Sequence, residues 1–133
     1  MGTEKTKFVK IVIPFTIPGL NDYIAAERVH RQKAAKMKRY WQEAVILTVR
    51  RQIRGGIPEP CYMHYRWIER DRRRDKDNIS SFGRKVIQDA LVQMKALRND
   101  GWNNIEGFSD EFAVDKKKPR IEVTIIPACE VDA

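Results

Sequence analysis

The chain begins with a regular alternation of apolar and polar positions. Over residues 8–15, Val9, Ile11 and Ile13 fall on one side of the alternation, and β-branched residues are frequent. A period of two places alternate side chains on opposite faces of a strand, so this stretch predicts the first strand. The pair Pro18-Gly19 then predicts a break in the chain.

The next segments change to a period of three and four residues. A short helix is predicted up to about Arg28, with Asn21 or Asp22 as its cap. A longer helix is predicted from about Gln32 to Arg54, where Gly55-Gly56 ends it. Its apolar pattern comprises Ala35, Met37, Tyr40, Trp41, Ala44, Val45, Leu47 and Thr48.

The second half of the chain shows the same two periods. Residues 61–68 are apolar and aromatic and predict a second strand, whereas residues 78–97 predict a second long helix. Residues 102–108 predict an ordered loop, and two closing strands are predicted at about 109–114 and 120–126. The apolar stripe of the second long helix comprises Ile79, Phe82, Val86, Ala90, Met94 and Leu97, widened by Ile87 and Leu91.

The order β-α-β-α-β-β favours an α+β fold in which two main helices pack on a mixed sheet. The 133 residues suffice for a single domain, with its core expected over about residues 8–127. Apolar runs are far shorter than the ~20 residues that span a bilayer, so no membrane segment is predicted. Cys61 is expected to be a buried free thiol, which fits a reducing cytoplasm.

The charge balance adds a class of partner to this fold. The chain has 26 Lys and Arg residues against 18 Asp and Glu residues, which gives a net charge of +8. An excess of this size favours a polyanionic partner, nucleic acid before membrane. Net charge alone leaves a simple basic protein open, so a more specific hypothesis depends on particular residues.

The most polar stretch, residues 69–78, contains Asp75-Lys76-Asp77. If the second strand continues this far, residues two apart point to one side of it, and both carboxylates face the same volume. Two close negative charges are unfavourable unless a cation lies between them. Hard oxygen ligands of this kind suit Mg²⁺ or Mn²⁺. The sequence therefore points to a candidate metal site.

The same aspartates also have a purely structural interpretation. In that interpretation Asp77 caps the helix that follows, and Asp75 forms an ion pair with Arg72, Arg73 or Arg74. An isolated Asp-x-Asp favours this structural alternative, because the pattern is short. The residues around it shift the balance toward chemistry.

Asn78, Lys85 and Asp89 are expected on one flank of the second long helix, because their positions fall within a narrow angle around the axis of an ideal helix. Lys85 lies about two turns from the acidic end, where it either stabilises a reacting phosphate or pairs with Asp89. Asp100 follows this helix, and the next strand is expected to bring it back to the acidic pair. Phosphodiester hydrolysis uses carboxylate-held metal ions together with such a lysine. This mechanism requires the three aspartates to meet.

Several stretches together resemble a known nuclease family. They are residues 72–78, Asp89-Ala90-Leu91 and Asn99-Asp100, with Ile13-Pro14 and residues 17–23 nearer the N-terminus. This set resembles the RusA-like endodeoxyribonucleases, the Holliday-junction resolvases of bacteria and their phages. Residues 99–108 and 119–125 resemble the branch found in Gram-positive bacteria and their phages. The resemblance extends over most of the chain and is densest from Arg72 to Asp100.

The resemblance implies a RusA-like fold and Mg²⁺-dependent nicking of branched DNA, such as a four-way junction, in recombination and repair. It makes Asp75, Asp77 and Asp100 metal-binding catalytic acids and Lys85 the catalytic lysine. It also implies a homodimer, because a four-way junction must be nicked symmetrically on two strands. The chain departs from better-known members in two ways. About one extra helical turn precedes Asp89, and Asn99 stands where many relatives have an aspartate.

Basic and polar residues near these acids and along the first long helix are expected to contact DNA. They are Arg31, Lys33, Lys36, Lys38, Arg72, Arg73, Arg74 and Asn78. Trp102 is predicted to anchor its loop in the core, with stacking on unpaired bases near a branch point as the alternative.

These expectations combine into a metal-dependent, structure-selective DNA endonuclease in the cytoplasm of a bacterial or phage-infected cell. The alternative is a non-catalytic basic DNA-binding protein, in which the aspartates are caps and salt-bridge partners.

Overall fold

Four strands and four helices make up the protein in a computed structural model, which describes residues 8–53 and 55–131. The strands are β1 (Val9–Ile13), β2 (Cys61–Glu69), β3 (Ile105–Val114) and β4 (Arg120–Pro127). The helices are α1 (Leu20–Val29), α2 (Arg31–Val49), α3 (Lys76–Gln93) and α4 (Ala128–Val131). The predicted α+β class in a single small domain is confirmed. Arg54, the predicted end of the first long helix, lies outside the described residues.

The four strands form one mixed sheet in the order β1-β4-β2-β3. The strand β4 is antiparallel to both of its neighbours, β1 and β2, whereas β2 and β3 are parallel. Parallel neighbours need a long crossover connection, and α3 supplies it. The beginning of α3 therefore follows the end of β2, and its end leads back to the start of β3.

Alternation along the strands builds one side of the core. Buried residues of β1, β2 and β4 join the apolar stripe of α3 and the inner face of α2 in one cluster. The sheet contributes Ile11, Ile13, Cys61, Met63, Tyr65, Trp67, Ile121, Val123 and Ile125. Cys61 is buried and free, as predicted. All of the predicted α3 stripe is buried except Met94, which is half-buried.

The inner face of α2 differs from the prediction. Tyr40 and Leu47 are 65% and 58% exposed, whereas Val45 and Val49 are buried. Successive helical residues are about 100° apart, so Leu47 lies roughly 200° around the helix from Val45. Two residues of the predicted apolar pattern, Tyr40 and Leu47, therefore lie outside the core, because counting apolar residues at helical spacing did not fix the rotation of the helix.

Two element boundaries differ in ways that affect the candidate site. The strand β2 ends at Glu69, and α3 begins at Lys76, so neither Asp75 nor Asp77 lies on a strand. The strand β3 begins at Ile105, inside the stretch predicted as a loop. No helix in the described part of the chain is long and apolar enough to cross a membrane.

The close approach of α3 to the sheet gives a testable prediction at Gly83. A β-carbon at this position would lie 2.8 Å from the Trp67 ring. That ring is buried, and its indole nitrogen donates a hydrogen bond to Asp110 at 2.8 Å, so it has little freedom to move. Gly83→Ala is expected to destabilise the protein by about 1–3 kcal/mol through overpacking, despite a helix-propensity gain of about 1 kcal/mol.

Urea unfolding measures this difference in the free energy of unfolding, provided that its dependence on urea concentration is the same for both proteins. The matched control is Gly101→Ala, because a β-carbon there would meet its nearest atom at 3.6 Å. A Gly83→Ala protein as stable as the wild type would contradict tight packing of α3 on Trp67.

Candidate functional site

Asp75 and Asp77 lie together at the beginning of α3. Asp75 is the N-cap residue, with an extended backbone (φ −69°, ψ 152°), and Asp77 lies in the first helical turn. The expectation that both would project from a continuing strand is therefore wrong. Both residues are nevertheless exposed, and the N-terminal end of a helix carries a partial positive charge that favours anions. The acidic pair therefore faces solvent at a helix end.

The connection from β2 to α3 is held by one arginine. The guanidinium of Arg74 donates to both carboxylate oxygens of Glu69, at 2.9 and 2.8 Å, and to the carbonyl oxygen of Ile17 at 3.0 Å. Bidentate arginine–carboxylate pairs fix geometry as well as charge. Arg74 thus holds the connection that leads to Asp75, and each of its three guanidinium nitrogens already donates within the chain; its expected DNA contact stays a prediction.

The structural alternative fits Asp77 better than Asp75. The hydroxyl of Ser81 donates to the Asp77 carboxylate at 3.0 Å. The Asp75 side chain makes no capping hydrogen bond. Within residues 8–53 and 55–131 it also forms no ion pair, including with Arg72, Arg73 or Arg74. Asp75 therefore has no capping hydrogen bond and no ion pair within the described residues, and its structural contribution there is limited to its charge at the N-terminal end of α3.

A cleft of about 400 Å³ opens beside Asp75. Its rim includes Arg72 and Lys76, both exposed, and apolar side chains of α3 and β3 also line it. An acidic group and basic groups thus share one concave surface. Such a surface accepts a phosphate and a cation together more readily than either charge alone.

Lys85 and Asp100 form a separate charged group further along α3. The ammonium of Lys85 lies 3.3 Å from Asp100 and 3.2 Å from Asp89, and Lys38 lies 2.7 Å from Asp89. The sequence-based alternative of a Lys85–Asp89 pair at i,i+4 is thus observed. Lys38, expected to contact DNA, has a partner within the chain.

The Asp75–Asp77 pair and the Lys85–Asp100 group lie at different points along α3. Asp77 and Lys85 are eight residues apart, which corresponds to roughly 12 Å along the helix axis. Asp100 lies with Lys85, so one chain does not bring it to Asp75 and Asp77. Across the described residues, no three acidic, histidine or cysteine side chains are grouped closely enough to hold a metal ion. Within the described residues of one chain, the three aspartates therefore do not meet, and a site built from two chains stays open.

The turn that carries Asp100 is fixed on both sides. Glu59 accepts hydrogen bonds from the backbone nitrogen of Arg98 at 3.0 Å and from the side-chain amide of Asn104 at 2.8 Å. The carbonyl of Asn104 accepts from the backbone nitrogen of Cys61 at 2.9 Å. Moving Asp100 to the other end of α3 would break these contacts. Sequence periodicity did not identify Glu59, because its partners are about forty residues away.

The charges around Lys85 support one another. Burial raises the pKa of Asp89, but hydrogen bonds and charges from Lys38 and Lys85 outweigh it, and the pKa falls below its ordinary value. Burial lowers the pKa of Lys85, but Asp89 and Asp100 outweigh it and raise the pKa. Lys85 therefore stays a cation at neutral pH. It can stabilise negative charge but does not serve as a base.

The remaining predicted DNA contacts divide by exposure. Arg31, Lys33 and Lys36 on α2 are exposed, as are Arg72 and Arg73. Asn78 instead joins two helices, since its side-chain oxygen accepts from the backbone nitrogen of Asn21 at 2.7 Å. Asn78 also fills the space where Gly19 has no side chain. The surface left for phosphates is smaller than the sequence predicted.

Trp102 is 96% exposed, so the prediction that it anchors its loop in the core was wrong. Ile105, three residues later, packs against the core in its place. Trp102 lines a cleft of about 250 Å³ with Phe108, which the sequence analysis did not single out. An apolar residue in a turn gives no periodic signal that distinguishes these two outcomes.

The charge group on α3 makes a prediction about pH. Asp89→Asn leaves Lys38 and Lys85 without this carboxylate and is expected to cost about 1 kcal/mol at pH 7. Because the folded pKa of Asp89 lies below its ordinary 3.8, this stabilisation is complete above pH 3.8. It disappears as the pH falls through the lowered folded pKa, so wild type and variant converge in acid.

Unfolding free energies measured from pH 7 downward test this expectation. The control is Glu106→Gln, an exposed residue without an ion pair in the described part of the chain, which should leave stability unchanged at pH 7. A difference between wild type and Asp89→Asn that grows as the pH falls would contradict the assigned pairing.

Comparison of the sequence with protein-family models and with curated proteins finds no match. The resemblance to RusA-like resolvases, which rests on the motifs quoted above, therefore stays a prediction.

Proposed function

We propose that this protein is a metal-dependent endonuclease for branched DNA, with its catalytic carboxylates at the beginning of α3. The observation that carries the proposal is Asp75, an exposed carboxylate without a partner in the described chain, two residues from Asp77. Asp75 lines a cleft together with the exposed Arg72. This combination suits a phosphodiester, which brings negative charge to a site that must also hold a cation.

The donor set fits a hard divalent cation such as Mg²⁺ or Mn²⁺. Asp75 and Asp77 supply carboxylate oxygens, and exposure leaves room for water and a substrate phosphate. Such an ion supplies Lewis-acid activation of water and neutralises charge on the reacting phosphate. The chain itself binds the DNA backbone through Arg72 and Arg73. The N-terminal end of α3 favours the negative charge of the phosphate.

A third carboxylate from Asp100 requires a second copy of the chain. Within one chain, Asp100 is fixed by the Glu59 contacts at a distance set by α3. In a two-fold symmetric dimer, each Asp100 is offered to the other subunit's Asp75 and Asp77, and the two resulting sites are equivalent. Two equivalent sites also match the symmetric nicking that a four-way junction needs. The proposal therefore includes a homodimer with shared sites.

A basic DNA-binding protein without catalysis is the second candidate. It is favoured by the partners that Asp77 and Asp100 already have in the chain, Ser81 and Lys85. In that function the aspartates are structural, and the exposed basic residues bind phosphates. It predicts no dependence on Mg²⁺ and no cleavage of any branched substrate.

Cleavage of a mobile four-way junction with Mg²⁺, and then with EDTA, separates the two candidates. Asp75→Asn is expected to bind the junction but to cut it with a rate lowered by more than the roughly 10–100-fold typical of outer-shell changes. Asp71→Asn is the charge control, because it removes the same charge from the same cleft; its junction affinity is measured as well, since Asp71 also pairs with Arg70 and Arg73. Its cleavage rate should stay close to that of the wild type.

Two results would refute the assigned role of Asp75. One is an Asp75→Asn protein that loses binding while cutting whatever fraction it binds. The other is a wild-type protein whose binding is salt-sensitive but which cuts neither junctions nor other branched DNA with Mg²⁺ or Mn²⁺. The second result would favour the DNA-binding candidate.

Mixing inactive variants tests the shared site directly. If Asp100 serves the partner's site, a mixed dimer of Asp75→Asn and Asp100→Asn contains one site with both changes and one intact site. We expect mixing and subunit exchange to restore nicking of one strand, whereas each variant alone stays inactive. If each site is built from a single chain, both sites in the mixed dimer are damaged, and mixing restores nothing.

A further inference from the structure

Trp102 lies at the turn between α3 and β3 and is 96% exposed, whereas Trp67 is 1% exposed in the core. A single exposed apolar residue is common on protein surfaces and carries no conclusion alone. Here the indole lines a cleft of about 250 Å³ whose other aromatic side is Phe108, itself 49% exposed. Two aromatic side chains thus share one open concave surface.

Phe108 is held in place from within the protein. The guanidinium of Arg84 lies 4.3 Å from the centroid of its ring, and Arg84 is itself paired with Asp110. The turn that carries Trp102 is fixed by the Glu59 contacts with Arg98 and Asn104. The cleft is therefore preformed, which lowers the entropy cost of binding a flat ligand.

The polar residues of the cleft favour a nucleobase over a phosphate. Gln88 lines the cleft, and its amide nitrogen donates to the Tyr65 hydroxyl at 3.0 Å, which leaves its carbonyl oxygen as an acceptor. The carboxylate of Glu106, also in the lining, is a second acceptor. Acceptors of this kind pair with exocyclic amino groups, such as N4 of cytosine. A carboxylate repels phosphate, so the base enters and the backbone stays outside.

We propose that Trp102 and Phe108 form a stacking site for an unpaired base with an exocyclic amino group, in single-stranded or branched DNA. This inference rests on the proposed function in so far as DNA is the partner. Exposed Lys95 and Arg98, just before the turn in the chain, supply cations for the neighbouring phosphates. The homodimer proposed above presents Asp100, which lines the same cleft, to its partner, so a second copy of the chain is the competing occupant that the test must separate.

Fluorescence anisotropy with labelled oligo(dC), oligo(dT) and a duplex of equal length tests the site. Base stacking on an aromatic residue contributes about 1–3 kcal/mol, so Trp102→Ala is expected to weaken oligo(dC) binding roughly 5- to 150-fold. Duplex binding should be unchanged, Trp102→Phe should retain most of the affinity, and the wild type should prefer oligo(dC) to oligo(dT).

Two further variants make the test specific. Phe108→Ala should also weaken oligo(dC) binding, because it removes the other stacking surface. The control is Tyr40→Ala, an aromatic residue 65% exposed on α2, which should leave all three affinities unchanged. Trp102→Ala should keep the wild-type unfolding midpoint, because its exposed indole contributes little to the core.

Each contrary result has a distinct meaning. If the wild type binds none of the DNA probes, nor a four-way junction, the proposed function fails and this inference fails with it. If junction and duplex binding persist but Trp102→Ala binds oligo(dC) like the wild type, the inference alone is overturned. If Trp102→Ala converts a dimer to a monomer and weakens all DNA binding equally, Trp102 belongs to a subunit interface, and the base-stacking proposal is wrong.

Discussion

The rigid length of α3 determines where every candidate catalytic side chain lies. The helix is the crossover between parallel strands, is packed on Trp67 through Gly83, and spans 18 residues. Its first turn carries Asp75 and Asp77, and its middle carries Lys85, to which Asp100 is bound. Because an α-helix does not shorten, the two charged groups stay separated in one chain. Any mechanism that uses all three aspartates at one site must therefore involve a second chain.

The two charged groups also differ in what their charges do. Around Lys85 each carboxylate meets a lysine, so the group is internally neutralised and contributes to stability. At the start of α3, the nearby Arg74 is occupied by Glu69 and Ile17 instead of Asp75. The hydrogen bonds of Arg74 are thus made to Glu69 and Ile17, and none is made to the exposed carboxylate of Asp75. The negative charge of Asp75, which no ion pair in the described chain neutralises, is available to a cationic ligand.

The sequence predicted the elements better than their orientation. Strand alternation and the α3 stripe identified the core residues, because the period of a strand or helix fixes which residues share a face. The rotation of α2 and the position of Trp102 were wrong, since both depend on contacts between distant segments. The acidic pair was expected on a continuing strand, whereas Asp75 is the N-cap residue of α3 and Asp77 lies in its first turn. Asp100 was misplaced because residues 94–104 follow the Glu59 contacts, which no local pattern encodes.

The exposed acids also bear on the choice between a nuclease and a simple DNA-binding protein. In a protein that only binds phosphates, two carboxylates near Arg72 and Arg73 weaken binding, because each carboxylate repels the backbone that the arginines attract. Asp75 does not recover this cost through a cap or an ion pair in the described chain. A divalent cation removes the cost, since it converts the repulsion between carboxylate and phosphate into attraction through the shared ion. The placement of Asp75 is therefore easier to explain in a metal-dependent nuclease than in a passive basic scaffold.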